Sequence, residues 1–167
     1  AIRTHLLKLP QLEKRWDMKG ISVGIDWNKS RQILDSKFAS FLKKGILRTI
    51  VAGAIWTPSR MLEASRLTAE QAVCVHCDCG GAETLGHRYW ICPRWHVWRV
   101  KWQLENFQHE LHPRCTTRSG IFTQGTCLSE AECRRIQMLL ICITQDIANC
   151  PRANAQYQIT KKKPQHH

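Results

Sequence analysis

The sequence predicts an all-α fold, an irregular helical domain with a structural zinc knuckle set between its helices. Three observations predict it. Apolar residues recur at helical spacing in several segments, two segments open on strong helix-start signals, and a cluster of cysteine and histidine interrupts the helical pattern.

In chain order, Ala1 to Trp16 carries Ile2, Leu6 and Leu7 at helix-like spacing before Pro10, which suits a short helix docking on a partner. Asp17 to Trp27, with Gly20 and Gly24, reads as a loop or short extended piece, so residues 1–27 form an N-terminal arm. Asn28 can cap a helix from Lys29 to about Lys44, because its side chain accepts the free N–H groups of the first turn. Ile33, Leu34, Phe38, Phe41 and Leu42 then share one stripe, and Gly45 is the expected stop. A second helix is expected over Ile46 to Ile55, burying Leu47, Ile50, Val51 and Ala54. Thr57-Pro58 starts a third: threonine caps, and proline at the first helical position gives up only an N–H that had no partner. Met61, Leu62 and Ala64 are its apolar side. Arg48, Arg60 and Arg66 on these helices either contact phosphates or pair with Glu63 and Glu70.

The stretch from Cys74 to Cys92 combines soft and nitrogen ligands as nothing else in the chain does. Cys74 and Cys77 make a C-x2-C pair, which one tight turn can aim at a single ion, and His87 and Cys92 complete a tetrahedral set. Three thiolates and one imidazole close the shell to water and substrate, so the zinc is structural. Cys79, His76 and His96 compete for the same role. The alternative, reduced cysteines in an ordinary core, fits poorly with Asp78, Gly80 and Gly81.

From Glu83 the chain can turn helical through His87, and Pro93 can open a helix to about Leu111 with Trp95, Trp98 and Trp102 on one face. Those rings pack in a core or, if exposed, stack on unpaired bases. Arg88, Arg94, Arg99 and Lys101 interleave with them, and basic and aromatic side chains beside a zinc knuckle suit RNA or single-stranded DNA. With Trp95, these four are the predicted nucleic-acid contacts.

Arg114 to Leu128 reads as a loop anchored by Ile121-Phe122. Ser129 and Glu132 form a capping box for a helix to about Asn149, the most apolar of the chain, with Ile136, Leu139, Leu140, Ile143 and Ile147 as its stripe. Met138 and Ile141 widen that stripe, and the helix is expected to be a core or docking element. The helical zinc-binding domain thus covers residues 28–150 with its knuckle at 74–92, and residues 151–167 are a basic C-terminal tail.

Composition sets the outer bounds. A chain of 167 residues has the length of one domain with a real core. Lys and Arg outnumber Asp and Glu by 25 to 13, a net +12 that favours an anionic partner. Nine cysteines, an odd and uneven set, point to an intracellular reducing compartment, nucleus or organelle alike, rather than a disulfide framework; a Cys115 to Cys127 bridge stays open, since both flank a loop. No apolar run approaches the length of a transmembrane segment.

Cys-x2-Cys, a Gly-containing loop, Glu83-Thr84-x2-His87, an aromatic pair, Cys92-Pro93 and a Trp/Arg-rich run resemble the zinc-binding segment that follows the polymerase domain in non-LTR (LINE-type) retrotransposon reverse transcriptases. Gly53-Ala-Ile-Trp-Thr-Pro-Ser-Arg60 resembles the stretch that precedes that knuckle, so the likeness spans Asp35 to about Arg99. It implies a segment that helps a retroelement protein hold its template, with Cys74, Cys77, His87 and Cys92 as ligands. The Tyr-x-Asp-Asp polymerase signature and an endonuclease acidic cluster are not recognisable here. The expectation is therefore a non-enzymatic, zinc-stabilised nucleic-acid-binding module of retroelement origin. Its alternative is a zinc-stapled structural subunit of a ribonucleoprotein or organellar complex that contacts mainly protein.

Overall fold

The computed structural model describes residues 9–151, so the predicted Ile2 to Leu7 helix and the tail beyond Pro151 lie outside the described residues. Seven α-helices are described: α1 (Leu9–Glu13), α2 (Trp27–Asp35), α3 (Phe41–Val51), α4 (Pro58–Glu63), α5 (His96–Lys101), α6 (Arg114–Ser119) and α7 (Glu130–Ala148). Short 3-10 turns and two isolated antiparallel bridges, Ile25 with Thr123 and Val73 with Ala82, link them. The fold is all-α, as the periodicity predicts. Among the described residues no helix is long and apolar enough to cross a membrane.

Helix α7 is the axis of the body. Ser129 Oγ accepts the Glu132 N–H at 3.2 Å and Glu132 Oε2 accepts the Ser129 N–H at 2.8 Å, the reciprocal cap expected from the sequence. Ile136, Leu139, Leu140, Ile141 and Ile143 are all completely buried. Burying each such side chain stabilises the fold by about 1.5–3 kcal/mol. Helices α2, α3 and α5 and the turn carrying His87 pack around it. Gln137 lies on this helix at zero exposure, and its Nε2 donates to the carbonyls of Ser30 (2.8 Å) and Gly120 (3.0 Å), fastening α2 and the end of α6 to the axis. Gly120 ends α6 at φ +66°, a left-handed conformation that disfavours any side chain.

Part of the predicted N-terminal arm belongs to this body. Met18, Ile21 and Ile25 are buried with Cys115 and Ile121 in a second, smaller core. All nine cysteines are free, so no bridge joins Cys115 to Cys127.

Four predicted elements differ. The expected Lys29 to Lys44 helix is two helices broken at Ser36 to Ser40, Gly45 sits inside α3, and Phe38, Phe41 and Leu42 are 99%, 85% and 57% exposed instead of buried. Capping explains the break: Asp26 rather than Asn28 accepts the Lys29 N–H, and Ser40 accepts the Lys43 N–H to restart the chain as α3. Ala54 lies past the end of α3 and is exposed. The expected Pro93 to Leu111 helix is a 3-10 turn, the short α5 and a second 3-10 turn at His109–Leu111, because the chain leaves the helical conformation at Gln103, φ +55°. Finally, the first part of the expected 114–128 loop is α6, while Ile121 and Phe122 are buried as predicted.

Candidate metal centre

Two strands of chain present the donors. On one side, the Val73–Ala82 bridge, with Cys74 N–H donating to Gly81 O at 2.9 Å and Glu83 N–H to Ala72 O at 3.1 Å, closes a hairpin-like loop that carries Cys74 and Cys77. Gly80 makes its turn at φ +65°. On the other side, residues His87–Ile91 form a π-helical turn, and the Cys92 N–H donates to His87 O at 2.7 Å. In an α-helix residues five apart point about 140° away from each other. The wider π turn brings them onto one side, so His87 and Cys92 face the same centre.

One ligand atom from each of Cys74, Cys77, His87 and Cys92 lies within 4.8 Å of the others. Cys74 Sγ and Cys92 Sγ are 3.9 Å apart, and Cys77 Sγ is 3.4 Å from His87 Nε2. A tetrahedral thiolate site with metal–sulfur bonds of about 2.3 Å has edges of about 3.8 Å. The four predicted residues therefore fit a single metal ion. His96 is exposed, and His76 turns its ring to Trp95, 5.2 Å away, with Nε2 3.9 Å from Glu83 Oε1; neither joins the set. Cys79 is the near competitor, its sulfur 3.0 Å from Cys77 Sγ and 3.8 Å from His87 Nε2, but it is exposed and stands outside the four.

Electrostatics suit a cation. Burial pushes the His87 pKa down and keeps its imidazole neutral, the form that ligates. Burial likewise pushes the Cys74 and Cys92 thiols up, a balance that a coordinated cation reverses by deprotonating them. At Cys77 burial acts in the same direction, but the hydrogen bonds of Cys79 and its neighbours outweigh it and the thiol is lowered. Three thiolates and an imidazole around a divalent ion carry one net negative charge. Arg99 lies behind them, 6% exposed, donating to the carbonyls of Cys92 (2.9 Å) and Tyr89 (3.3 Å).

That placement corrects three predicted nucleic-acid contacts. Arg88 is 2% exposed, its Nε 2.7 Å and Nη2 2.5 Å from Glu83 Oε1. Arg99 is spent on backbone carbonyls, and Trp95 is 4% exposed in the core. Each holds the metal loop or the core together and has no face to offer a ligand. Trp98 is also tied inward, its Nε1 donating to Asp146 Oδ2 at 2.6 Å, and Trp102 packs against the same core. Arg94 and Lys101 are exposed, each over an indole ring, Trp95 at 5.8 Å and Trp98 at 4.7 Å. One contact went unforeseen: Thr84 Oγ1 accepts the His87 N–H at 3.0 Å, and the sequence signal for it is the Thr-x-x-His spacing.

No family model, curated protein or solved structure matches the chain.

Proposed function

We propose that the chain is a non-enzymatic, zinc-stapled helical module that holds RNA or single-stranded DNA. The observation that carries this is the clustering of Cys74, Cys77, His87 and Cys92 in a chain of net charge +12. The soft donor set, three sulfurs and one nitrogen, selects zinc over harder cations. When bound, zinc supplies rigidity: it fixes the 74–79 loop against the His87 turn and thereby the direction in which α5 leaves. A closed shell of four protein donors supports a structural role rather than a catalytic one. The positive charge supplies affinity for a phosphate backbone. The resemblance of the Cys74 to Arg99 segment to the one after a retroelement polymerase supports the same reading, and nine free thiols suit a reducing compartment.

Fluorescence anisotropy with labelled single-stranded RNA and DNA tests it. Binding is expected in the micromolar range at about 50 mM salt and should weaken several-fold by about 200 mM. No binding to either strand at low salt contradicts the proposal.

A second reading has its own observation. Phe38, Phe41 and Leu42 form an exposed apolar patch at the break between α2 and α3. Such a patch fits a subunit that contacts other proteins of a ribonucleoprotein or organellar complex. Native mass measurement of the protein in its cellular assembly, compared with a Phe38→Ser, Phe41→Ser variant, separates the two.

A further inference from the structure

Next to the metal loop, the start of α4 and the ends of α6 line a cleft of about 340 Å³. Its walls include Trp16, Ser59, Arg60, Thr84, Arg114 and Arg118, and Glu63 is the only carboxylate among them. Three arginines and two tryptophans alternate along this side of the molecule. Arg66 lies 4.9 Å from the Trp56 ring, Arg60 lies 5.2 Å from Trp56 and 5.9 Å from Trp16, and Arg118 lies 5.1 Å from Trp16.

Stacking on an indole holds a guanidinium plane in place and leaves its N–H edges for an acceptor. Arg60 is further fixed by donating to the carbonyls of Gly53 (2.8 Å) and Ile55 (2.7 Å). Among the lining residues three guanidiniums face one carboxylate, and Asp17 behind Arg118 offsets part of the excess. Burial and then the neighbouring Arg114 charge lower the Arg118 pKa, while the nearby Asp17 carboxylate acts against them. Hydroxyl donors add to them. Ser59 Oγ is shut off from solvent and has no hydrogen-bond partner among the described residues. Thr84 Oγ1 accepts from His87 and keeps its own proton for another acceptor.

The geometry points to this cleft as the phosphate-binding site of the module, seating a phosphodiester of single-stranded nucleic acid on Arg60, Arg114 and Arg118, with Ser59 and Thr84 as hydroxyl donors. The inference rests on the nucleic-acid reading above and relocates its contact surface from the Trp95 helix to the Trp16 side. Trp16 and Trp56 act as positioning residues for the guanidiniums. Through Thr84 and His87 the cleft and the metal loop are one hydrogen-bonded unit.

The test compares an Arg114→Gln, Arg118→Gln variant with an Arg94→Gln, Lys101→Gln control, both confirmed folded by circular dichroism. Each is titrated with a labelled 20-nucleotide single strand across a salt series. The cleft variant should lose about tenfold in affinity, and its log–log salt slope should fall by about 1.4, two contacts at about 0.7 each. The control should keep the cleft contacts and lose less. If the cleft variant binds like the unaltered protein while the control is weakened, the site assignment is wrong and the nucleic-acid reading stands. If the unaltered protein binds no strand, that reading itself has failed. Inorganic phosphate and polyglutamate provide the remaining arms, read from the indole N–H resonance of Trp16. Saturation by either at concentrations matching the oligonucleotide overturns the phosphodiester assignment, and a response to the strand alone supports it.

Discussion

Arg88 and Glu83 form a buried ion pair, 2.7 Å from Nε to Oε1, inside the loop that carries the metal ligands. Their side chains are 3% and 1% exposed, so water does not screen the pair. Removing one partner strands the other charge in the interior. Arg88→Ala should therefore cost about 3–5 kcal/mol in chemical denaturation, whereas replacing both with apolar residues of similar volume should cost far less. Equal losses from the single and double replacements would show that the pair does not act as a unit.

Cys79 and Cys92 make opposite predictions for the metal. Cys92 is fully buried among the four donors, while Cys79 is exposed at their edge. Cys92→Ser should abolish stoichiometric metal and loosen the 72–92 loop, and Cys79→Ser should retain about one ion per chain. Metal analysis after purification without chelators reads both. Retention by Cys92→Ser together with loss by Cys79→Ser would exchange their roles.

The stability curve should bend at both ends of the pH range. Hydrogen bonds from the backbone and side chain of Ser129 hold the Glu132 carboxyl below its ordinary value. Its contribution is full above about pH 4.5 and is lost as pH falls through the depressed folded value. At the alkaline end, burial pushes Cys115 up to about 11 and Cys133 up to about 12. Their neutral thiols stabilise the fold fully below the ordinary thiol value and progressively less as pH rises through those folded values. Denaturation midpoints measured with Cys115→Ala and Glu132→Gln variants should flatten the alkaline and acid limbs respectively.

Where the sequence succeeded, local chemistry and tertiary structure agreed. Helix α7 was legible because a capping box, an apolar stripe and Pro151 all mark the same segment. The metal ligands were legible because C-x2-C fixes two donors in one turn. Phe38, Phe41 and Leu42 misled because they continue the stripe of Ile33 and Leu34, and spacing alone does not distinguish a buried face from an exposed one. Arg88 and Arg99 misled for a related reason. An arginine reads as surface unless its partners are known, and these partners are a carboxylate and two carbonyls that only the folded loop brings near. The Trp16, Arg114 and Arg118 surface joins residues about a hundred positions apart, beyond any local pattern.

Zinc K-edge X-ray absorption on protein purified without chelators reads the metal and its donors at the Cys74, Cys77, His87 and Cys92 site. One zinc per chain is expected, with three sulfurs at about 2.3 Å and one nitrogen at about 2.0–2.1 Å. A shell of four sulfurs would put Cys79 in place of His87, and folded protein carrying no metal at all would remove the staple on which the proposed function stands.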